Sequence, residues 1–386
     1  NNTVGMYIET SSQNVLRDNN LTGNNINFGV FAFKFKVDIY WDSFTEKVDL
    51  STFIHDIDTS NTVNGRPIYY LVNHKNLLIH SSDIGYLGLI NCTDIYVKDV
   101  TLTDNAQGLL LAFTTNSTIE NATIAHNIVG IHLLRSEGNT IASNNISDNG
   151  YGISLYHASF NNIIKNTLTN NGFHDRDGSI VIGPAVCGLA TVTWADKVIL
   201  SLGNIISSNM ISNNSVGIIL SNAGTTLNIV AGNTILENEY AGIYIECRAS
   251  INKIYHNNFV DNGNHVDIDT MYISLNIWDD GYPSGGNYWS DYADVDFYSG
   301  SYQNETGSDS IWDHPYTIDE SNRDRYPFTP SDIAVVSLVP SSTEVYVGQT
   351  VDITVTVRNE GDFPKTFDVT CKYELEGIEH TIGTQT

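Results

Sequence analysis

The sequence predicts an all-β chain: a right-handed parallel β-helix with a small C-terminal β-sandwich. A fixed repeat of about 22 residues indicates stacked units, because no single unit can bury its own apolar face. Apolar residues such as Ile153 and Leu155 stand one and three positions after each glycine, which is the period of a strand with one buried face. The repeated unit of 22 residues appears as Gly130, Asn139, Asn144 and Asn149, then as Gly152, Asn161, Asn166 and Asn171.

Two further apolar positions follow the asparagines, as in Ile163 and Leu168, so each coil of about 22 to 25 residues should contain three short strands. Equivalent strands of successive coils should pair in parallel at about 4.8 Å, with the right-handed crossover that parallel strands favour. The asparagines suit the turns because they tolerate left-handed backbone, bond to local backbone and can form ladders.

The unit also predicts the domain boundaries. The β-helix should cover residues 1–276, with excursions at about 25–82 and 172–203. Residues 277–330, rich in Asp and aromatic residues, should cap the last coil, since an open end exposes strand edges. Residues 331–386 alternate like the strands of an immunoglobulin-like sandwich, but they supply only part of the roughly 100 residues that such a fold needs.

Composition limits the partners. The chain of 386 residues has a net charge of −26, which argues against nucleic acid or an anionic membrane surface. No apolar run is long enough to span a bilayer, and no signal peptide or initiator methionine is present. The first residues already lie inside a repeat, so we expect a mature or excised piece of a protein.

The cysteines and sequons bear on the compartment. Cys92, Cys187, Cys247 and Cys371 allow three pairings if all are oxidised, and none has Cys-x-x-Cys spacing. We expect Cys92 and Cys247 to fill apolar or ladder positions rather than to form disulfides. Asn-x-Ser/Thr sequons favour a secreted, glycosylated protein. They lie at Asn1, Asn20, Asn91, Asn116, Asn121, Asn145, Asn213 and Asn304.

Several segments resemble a known family. The runs IDTSNTVNGRPIYYLVNHKN, GYLGLINCTDIYVKDVTLTDNAQGLLLAFTTNSTIENATI, NIWDDGYPSGGNYWSDY and DRYPF are similar to the NosD-like family of secreted β-helix proteins, common in archaea. The resemblance covers about residues 1 to 330. It implies an exported right-handed parallel β-helix, and the family takes its name from a periplasmic protein linked to copper delivery. The C-terminal tail resembles the CARDB-type, immunoglobulin-like adhesion modules of archaeal surface proteins.

A carbohydrate site is the first candidate for chemistry. A sugar packs its apolar face on an aromatic ring while carboxylates accept its hydroxyls, which selects the outward residues Tyr7, Tyr156, Tyr244 and Glu246. An enzyme acting on polysaccharide needs acids or a basic residue on one outer face. The positions two and four residues after each glycine should stack into two outward columns, and these columns contain no adjacent pair of acids. The remaining candidates are His132, His157, Glu246 and Arg248, with Asp175, Arg176 and Asp177 in the second excursion.

A metal site is the second candidate. Calcium prefers oxygen ligands, which glycine-containing loops of the capping segment supply, although their spacing fits no EF-hand. Copper delivery uses clusters of Met, His and Cys, so a chain with three Met and no His-x-His is not expected to bind copper. The candidate calcium ligands are Asp279, Asp280, Asp291, Asp294, Asp296, Asp309, Asp313, Asp319 and Asp324.

These observations favour an extracellular structural or adhesive protein of the cell surface, a subunit of an envelope layer, sheath or filament. Its partners should be further copies or other surface proteins. The alternative is a carbohydrate-binding or polysaccharide-processing β-helix, which as an enzyme would be a polysaccharide lyase or a glycoside hydrolase.

Overall fold

The computed structural model describes residues 2–31, 48–172, 178–182, 201–270, 273–330, 333–340, 353–359, 369–375 and 378–385. The chain divides into two compact units, Asn1–Pro327 and Phe328–Thr386. The first unit is the parallel β-helix that the sequence predicts. Its coils stack three sheets, here called A, B and C, around one apolar core.

Sheet A forms the longest side of the β-helix. Its strands pair in parallel except for β6 and β7, which form a hairpin across Asn64 and Gly65. Both turn residues have positive φ, 50° and 79°, as a two-residue type I′ turn requires. In order, the strands are β3 (Asn20–Leu21), β6 (Thr62–Val63), β7 (Arg66–Val72), β9 (Tyr86–Ile90), β12 (Gln107–Ala112), β15 (Val129–Leu134), β18 (Tyr151–Tyr156), β21 (Gly178–Ile182), β25 (Val216–Ser221), β29 (Ala241–Glu246) and β32 (Val266–Ile268).

Apart from Lys75–His80 and Thr93–Lys98, the strands of sheets B and C have two or three residues each, because an asparagine turn interrupts the chain every few residues. Sheet B contains β8 (Lys75–His80), β10 (Thr93–Lys98), β13 (Thr118–Glu120), β16 (Thr140–Ala142), β19 (Asn162–Ile164), β23 (Ile205–Ser207), β27 (Ile229–Ala231) and β30 (Lys253–Tyr255). Sheet C contains β11 (Thr101–Thr103), β14 (Thr123–Ala125), β17 (Asn145–Ser147), β20 (Thr167–Thr169), β24 (Met210–Ser212), β28 (Thr234–Leu236), β31 (Asn258–Val260) and β33 (Tyr288–Trp289).

Short strands form separate pairs in the same unit, next to one 3-10 helix at Leu50–Phe53. The parallel pairs are β1 (Val4–Glu9) with β4 (Ile26–Phe31), β2 (Val15–Leu16) with β5 (Asp56–Ile57), and β22 (Ser201–Leu202) with β26 (Thr225–Thr226). The antiparallel pairs are β34 (Tyr298–Ser299) with β35 (Glu305–Thr306), and β36 (Tyr316–Thr317) with β37 (Arg323–Asp324).

Both predicted excursions are shorter than the sequence indicates. Strands β4, β5 and β6 pair with β1, β2 and β3, so they form a second coil, and β7 already belongs to sheet A. In the second excursion, β21 pairs with β18 and β25 and supplies that coil's strand of sheet A. Hydrophobic periodicity missed these coils because long insertions separate their strands. Residues 32–47, 173–177 and 183–200 lie outside the described residues.

The N-terminal coils pack on the outer face of sheet A. The backbone N–H of Ala106 donates to the carbonyl of Phe28 (2.9 Å), and the Gln107 side chain bonds to the backbone of Val30. Gly29 permits this approach, because a Cβ there would lie 2.3 Å from that of Ala106. The contact buries a second apolar cluster that includes Phe28, Tyr86 and Leu110.

Buried asparagines form the predicted ladders between coils. Asn166, for example, accepts from the backbone N–H and the amide of Asn144, and donates to Asn209 Oδ1 and to the carbonyl of Ile141. Each rung therefore satisfies four polar groups inside the solenoid. The positive φ lies one residue earlier than the ladder asparagine, as at Ser143 (55°) and Asp148 (56°), so the ladder positions select asparagine for its side-chain bonds.

The ladders continue into the segment that follows the last regular coil. Asn276 bonds to Asn322, and Asn287 donates its backbone N–H to Asp324 Oδ2 (2.6 Å). Asp324 has 0% exposure and also accepts from Trp289 Nε1 and the backbone N–H of Tyr326. Trp289 stacks between Phe259 and Tyr316, at ring-centroid distances of 4.4 and 4.2 Å. This segment thus covers the apolar end of the core.

The buried carboxyl of Asp324 predicts a pH dependence of stability. Burial raises the pKa of Asp324 to about 7, against the ordinary Asp value of about 3.9. Between about pH 4 and pH 7 the folded state therefore binds a proton that the unfolded state releases, so this group's contribution to stability decreases as the pH rises through that window. Thermal unfolding of wild type and Asp324→Asn at several pH values should show the wild type losing stability relative to the variant. A constant difference would contradict the assignment.

Two further structural results concern the cysteines and the C-terminal unit. Cys92 is buried and free, as predicted, but Cys247 is disulfide-bonded, so the prediction for that residue is wrong.

The described strands of the second unit form two antiparallel pairs, β38 (Ile333–Pro340) with β39 (Ile353–Asn359) and β40 (Val369–Leu375) with β41 (Ile378–Gln385). Its likeness to an adhesion module stays a prediction.

Candidate functional site

The outward columns of sheet A have the predicted register. His132 lies opposite Leu110 on one side and Ser154 on the other, and Tyr156 lies opposite Leu134. Leu110 and Leu134 belong to the apolar cluster under the N-terminal coils. His132, Ser154 and Tyr156 are therefore at the border where this apolar cover gives way to polar side chains.

His132 is buried beneath the surface at this border. Its side chain is 9% exposed, and its Nδ1 atom has no hydrogen-bond partner. Burial lowers the pKa of His132 to about 4, so the imidazole is neutral at pH 7. A buried nitrogen without a partner is costly, which is a common property of a site that a ligand or its water completes.

Arg135 occupies the turn directly after β15, where its φ is 47°. Its backbone N–H donates to the carbonyl of Tyr156 (3.0 Å), and its guanidinium carbon lies 6.0 Å from the centre of the Phe113 ring. The guanidinium Nε is buried without a partner. Among the described residues, Arg135 forms no salt bridge with a carboxylate.

His157 and Tyr156 lie one coil further along. Their rings contact edge to face at 4.8 Å. Burial, with a smaller effect of the Arg135 charge, lowers the pKa of His157 to about 4. Burial also raises the pKa of the Tyr156 phenol, although the same charge opposes the shift. At pH 7 the site thus combines one permanent cation with a neutral imidazole and a protonated phenol.

We call His132, Arg135, Ser154, Tyr156 and His157 the Arg135 cluster. An arginine in a partly buried position is suited to hold a carboxylate or a sulfate, because its planar fork donates two parallel hydrogen bonds. A neutral imidazole can accept a proton and a phenol can donate one. The cluster can therefore bind an anionic ligand and carry out general acid–base chemistry beside the bound anion.

The structure does not bring the predicted carbohydrate residues together. Tyr7 pairs with Gly29 in the N-terminal coils, with its ring against Phe31, and Tyr244 is buried at 6% exposure. Strands β21 and β25 lie between Tyr156 and the strand that carries Tyr244 and Glu246. Glu246 is half-buried opposite Ser221, and Arg248 is exposed in the next turn. Asp175, Arg176 and Asp177 lie outside the described residues.

The candidate calcium ligands instead bond to their own loops. Among the described residues, no three His, Cys, Asp or Glu side chains are grouped so that they could hold a metal ion. The order of these loops does not require a cation, and calcium stays a prediction. Asp279 pairs with Arg325, Asp280 with Lys253, Asp291 with His265 and Asp294 with His314, whereas Asp296, Asp309, Asp313 and Asp319 accept backbone N–H groups and Asp324 ends a ladder.

The sequons lie on the surface. All seven sequon asparagines within the described residues are exposed, whereas the ladder asparagines are buried, so glycosylation there would not disturb the core. Asn1 is outside the described range, and glycosylation stays a prediction. No helix in the described part of the chain is long and apolar enough to cross a lipid bilayer.

The fold and the cluster define a parallel β-solenoid with a cationic, histidine-bearing site on its longest sheet. The chain belongs to the family described as periplasmic copper-binding protein (NosD), whose model matches residues 54–181 and 197–294. The described residues do not fit a copper ion, which takes clustered soft ligands. Cys92 is buried with its sulfur against the carbonyl oxygens of Leu71 and Ile90 (3.4 and 3.5 Å), away from the histidines of the cluster.

No curated protein matches the chain. Among solved structures, it is similar to a double mutant of the periplasmic alginate epimerase AlgG, with 24% identity over 47% of this chain and 40% of that one and a TM-score of 0.37. It is similar to the A-module of the Azotobacter vinelandii mannuronan C-5 epimerase AlgE6 (13% identity, 71% and 76% of the two chains, TM-score 0.36). A third similarity is to the tailspike protein of E. coli bacteriophage HK620, in complex with a pentasaccharide (10% identity, 74% and 57%, TM-score 0.35).

Sequence analysis missed Arg135. It lies outside the two outward columns, in a turn position that asparagine occupies two coils earlier, at Asn91, and phenylalanine one coil earlier, at Phe113. The signal that could have found it is a long cation at a turn that elsewhere holds smaller or neutral side chains.

Proposed function

We propose that this protein binds an acidic polysaccharide in the periplasm or at the cell surface. The polymer lies along the outer face of sheet A, and the Arg135 cluster holds the carboxylate of one uronate unit. Because an envelope-layer, sheath or filament role rests on no described contact, it stays a prediction from the sequence.

The observation that carries this proposal is the state of Arg135. A half-buried guanidinium whose Nε lacks a partner lowers its free energy by taking up an anion, since charge-assisted hydrogen bonds replace the lost hydration. An anion that reaches the Arg135 guanidinium between Phe113 and Tyr156 has to be small or flat. The carboxylate of a uronate ring satisfies that condition, and the ring itself carries hydroxyls for Ser154 and His157.

Because the net charge is −26, the protein surface does not attract polyanions in general, and the site selects among them by local contacts. A polyanion is repelled by most of the surface, although repulsion between exposed charges is screened beyond about 8–10 Å at physiological ionic strength. Binding therefore depends on the local contacts at Arg135. A nonspecific polyanion such as DNA lacks the ring hydroxyls that complete the site.

A lyase activity is the second candidate, and the neutral state of His157 supports it. Neutralising a uronate carboxylate acidifies the proton on the adjacent carbon, and the unprotonated imidazole of His157 can accept it. Because its lowered pKa makes His157 a weak base, the charge of Arg135 on the carboxylate must supply most of the activation. The Tyr156 phenol can then donate a proton to the leaving glycosidic oxygen. The elimination leaves a carbon–carbon double bond in the product ring, which absorbs ultraviolet light.

Calorimetric titration tests the proposal with oligomers of galacturonate, glucuronate and mannuronate, and with dextran oligomers as the uncharged control. We expect at least one uronate oligomer to bind and dextran to bind far more weakly. Arg135→Met should weaken uronate binding about tenfold to a hundredfold, the effect of a lost charge-assisted pair at roughly 1.5–3 kcal/mol. Ultraviolet absorbance during the same incubation reports lyase activity.

Lys165→Met is the matched control, because Lys165 is an exposed cation at a turn between sheets B and C. It should leave uronate binding unchanged. Equal loss in both variants would mean that only net charge matters, and absence of binding to every uronate oligomer would contradict the proposed function.

A further inference from the structure

A polar cleft lies at the C-terminal end of the β-helix, away from the Arg135 cluster. Its volume is about 390 Å³, at the lower end of the range of roughly 300–1,000 Å³ for small-ligand sites. The turn between β31 and β32 forms one side, and the residues after β33 together with strand β36 form the other. The cleft is lined chiefly by Asp261, His265, Ser290, Asp291, Tyr316 and Ile318.

His265 holds Asp291 in place. Its side chain is buried, and its Nδ1 lies 3.3 Å from the amide nitrogen of Asn262, whose orientation is fixed because its oxygen accepts the ladder bond from Asn238. Nδ1 is therefore the acceptor and Nε2 carries the proton. This Nε2–H points at Asp291 Oδ1, 3.2 Å away, and at Ser290 Oγ, 3.3 Å away. His265 is thus a positioning residue for the carboxylate.

Both carboxylates remain able to accept further hydrogen bonds. The Tyr316 hydroxyl donates to Asp291 Oδ2 (3.3 Å), yet the Asp291 side chain is 58% exposed. Asp261 is also exposed, and its backbone N–H donates to Ser290 Oγ (3.0 Å), which fixes the turn. A carboxylate held by donors from the protein on one side and open on the other is suited to accept from ligand hydroxyls.

The wall of the cleft is rigid and apolar. Tyr316 stacks on Trp289 at 4.2 Å and 13°, and Trp289 stacks on Phe259 at 4.4 Å and 3°. Ile318 adds aliphatic surface beside this stack. Apolar surface next to two hydroxyl acceptors suits a sugar ring, whose C–H groups pack on the wall while its hydroxyls face the acids.

Charge then selects among sugars. The lining contains Asp261 and Asp291 but no lysine or arginine, so a uronate or a sulfated sugar meets two like charges and no compensating cation. A metal ion does not explain the cleft, since among the described residues no group of three His, Cys, Asp or Glu side chains is placed to hold one. The preference is the opposite of that at the Arg135 cluster.

We propose that this cleft is a second saccharide site that takes one uncharged glycosyl unit, with Asp261 and Asp291 accepting its hydroxyl protons against the wall formed by Tyr316 and Ile318. This inference does not depend on the proposed function, because it rests on different residues at the end of the solenoid. If both sites are occupied by one polymer, that polymer contains acidic and uncharged units.

Saturation-transfer NMR with the full chain tests the cleft. The probes are the methyl glycosides of glucose, galactose and mannose, with methyl glucuronide for comparison. At least one uncharged glycoside should bind, and more tightly than the glucuronide. Asp291→Asn, which keeps the shape and the acceptor oxygen of the side chain, should weaken that binding at least about tenfold by removing the charge-assisted hydrogen bond.

Asp83→Asn, at an exposed acid distant in the chain, is the control and should have no effect, as should Arg135→Met. Tyr316→Phe removes only the hydroxyl that orients Asp291, and should weaken binding less than Asp291→Asn. Preferred binding of the glucuronide, no binding of any uncharged glycoside, or unchanged binding by Asp291→Asn would each overturn the proposal. Loss of uronate binding in Arg135→Met leaves it intact, so failures at the two sites are distinguishable.

Discussion

Replacing Asn166 by alanine is expected to destabilise the β-helix by on the order of 2–4 kcal/mol. The variant removes four hydrogen bonds, and the backbone N–H of Asn144 is left without a partner. The Asn144 amide keeps its bond to the carbonyl of Ile119, and Asn209 Oδ1 still accepts from the backbone N–H of residue 166. These groups are buried, and a buried polar group without a partner costs about 1–3 kcal/mol, although partial relaxation makes the sum less than additive. Denaturant unfolding followed by circular dichroism measures the loss.

Asn145→Ala is the matched control, because it removes the same side chain from a residue on sheet C that directly precedes the buried Ile146. Its side chain is exposed and points away from the core, so the variant should stay within about 0.5 kcal/mol of the wild type. If both variants lost equal stability, asparagine would act through backbone propensity, and the ladder account would be wrong.

Leu155→Ala is expected to cost about 2–5 kcal/mol, because it opens a cavity in a continuous core. Leu155 has 0% exposure and pairs in register with Leu133 on the preceding strand. Its neighbour Ser154 points to the other face of the same strand and is half-buried. Ser154→Ala should therefore change the unfolding free energy by less than about 0.5 kcal/mol. Equal costs at the two positions would contradict the inward and outward assignment of β18.

The period of the sequence predicts the core and the columns well, because a period of two decides which face of a strand a side chain occupies. It does not predict what packs on the outer face. Tyr244 is outward on its strand as expected, but it lies in a buried apolar cluster with Val216 and Ile219. Tyr7 follows the same glycine pattern as the coils of sheet A, yet among the described strands its own strand pairs only with β4.

The end of the solenoid shows a second limit of periodicity. Rungs between successive regular coils join residues 22 to 24 positions apart, and those across the second excursion join residues 43 positions apart. The rungs at Asn322 and Asp324 instead join residues separated by 46 and 37 positions. No repeat search at the coil period finds them. Asp294, Asp296 and Asp319 of the same segment are predicted as calcium ligands from composition alone. Composition does not reveal that backbone N–H groups of the loops already bond to these carboxylates.

A crystal structure of the full chain with a bound uronate oligomer shows whether the Arg135 cluster binds a uronate, because it locates the carboxylate that the cluster is proposed to hold. We expect a uronate carboxylate within salt-bridge distance of the Arg135 guanidinium, with the sugar ring beside Tyr156 and His157 and the polymer running along the outer face of sheet A. An oligomer bound with its carboxylates elsewhere, and Arg135 left without an anion, would contradict it.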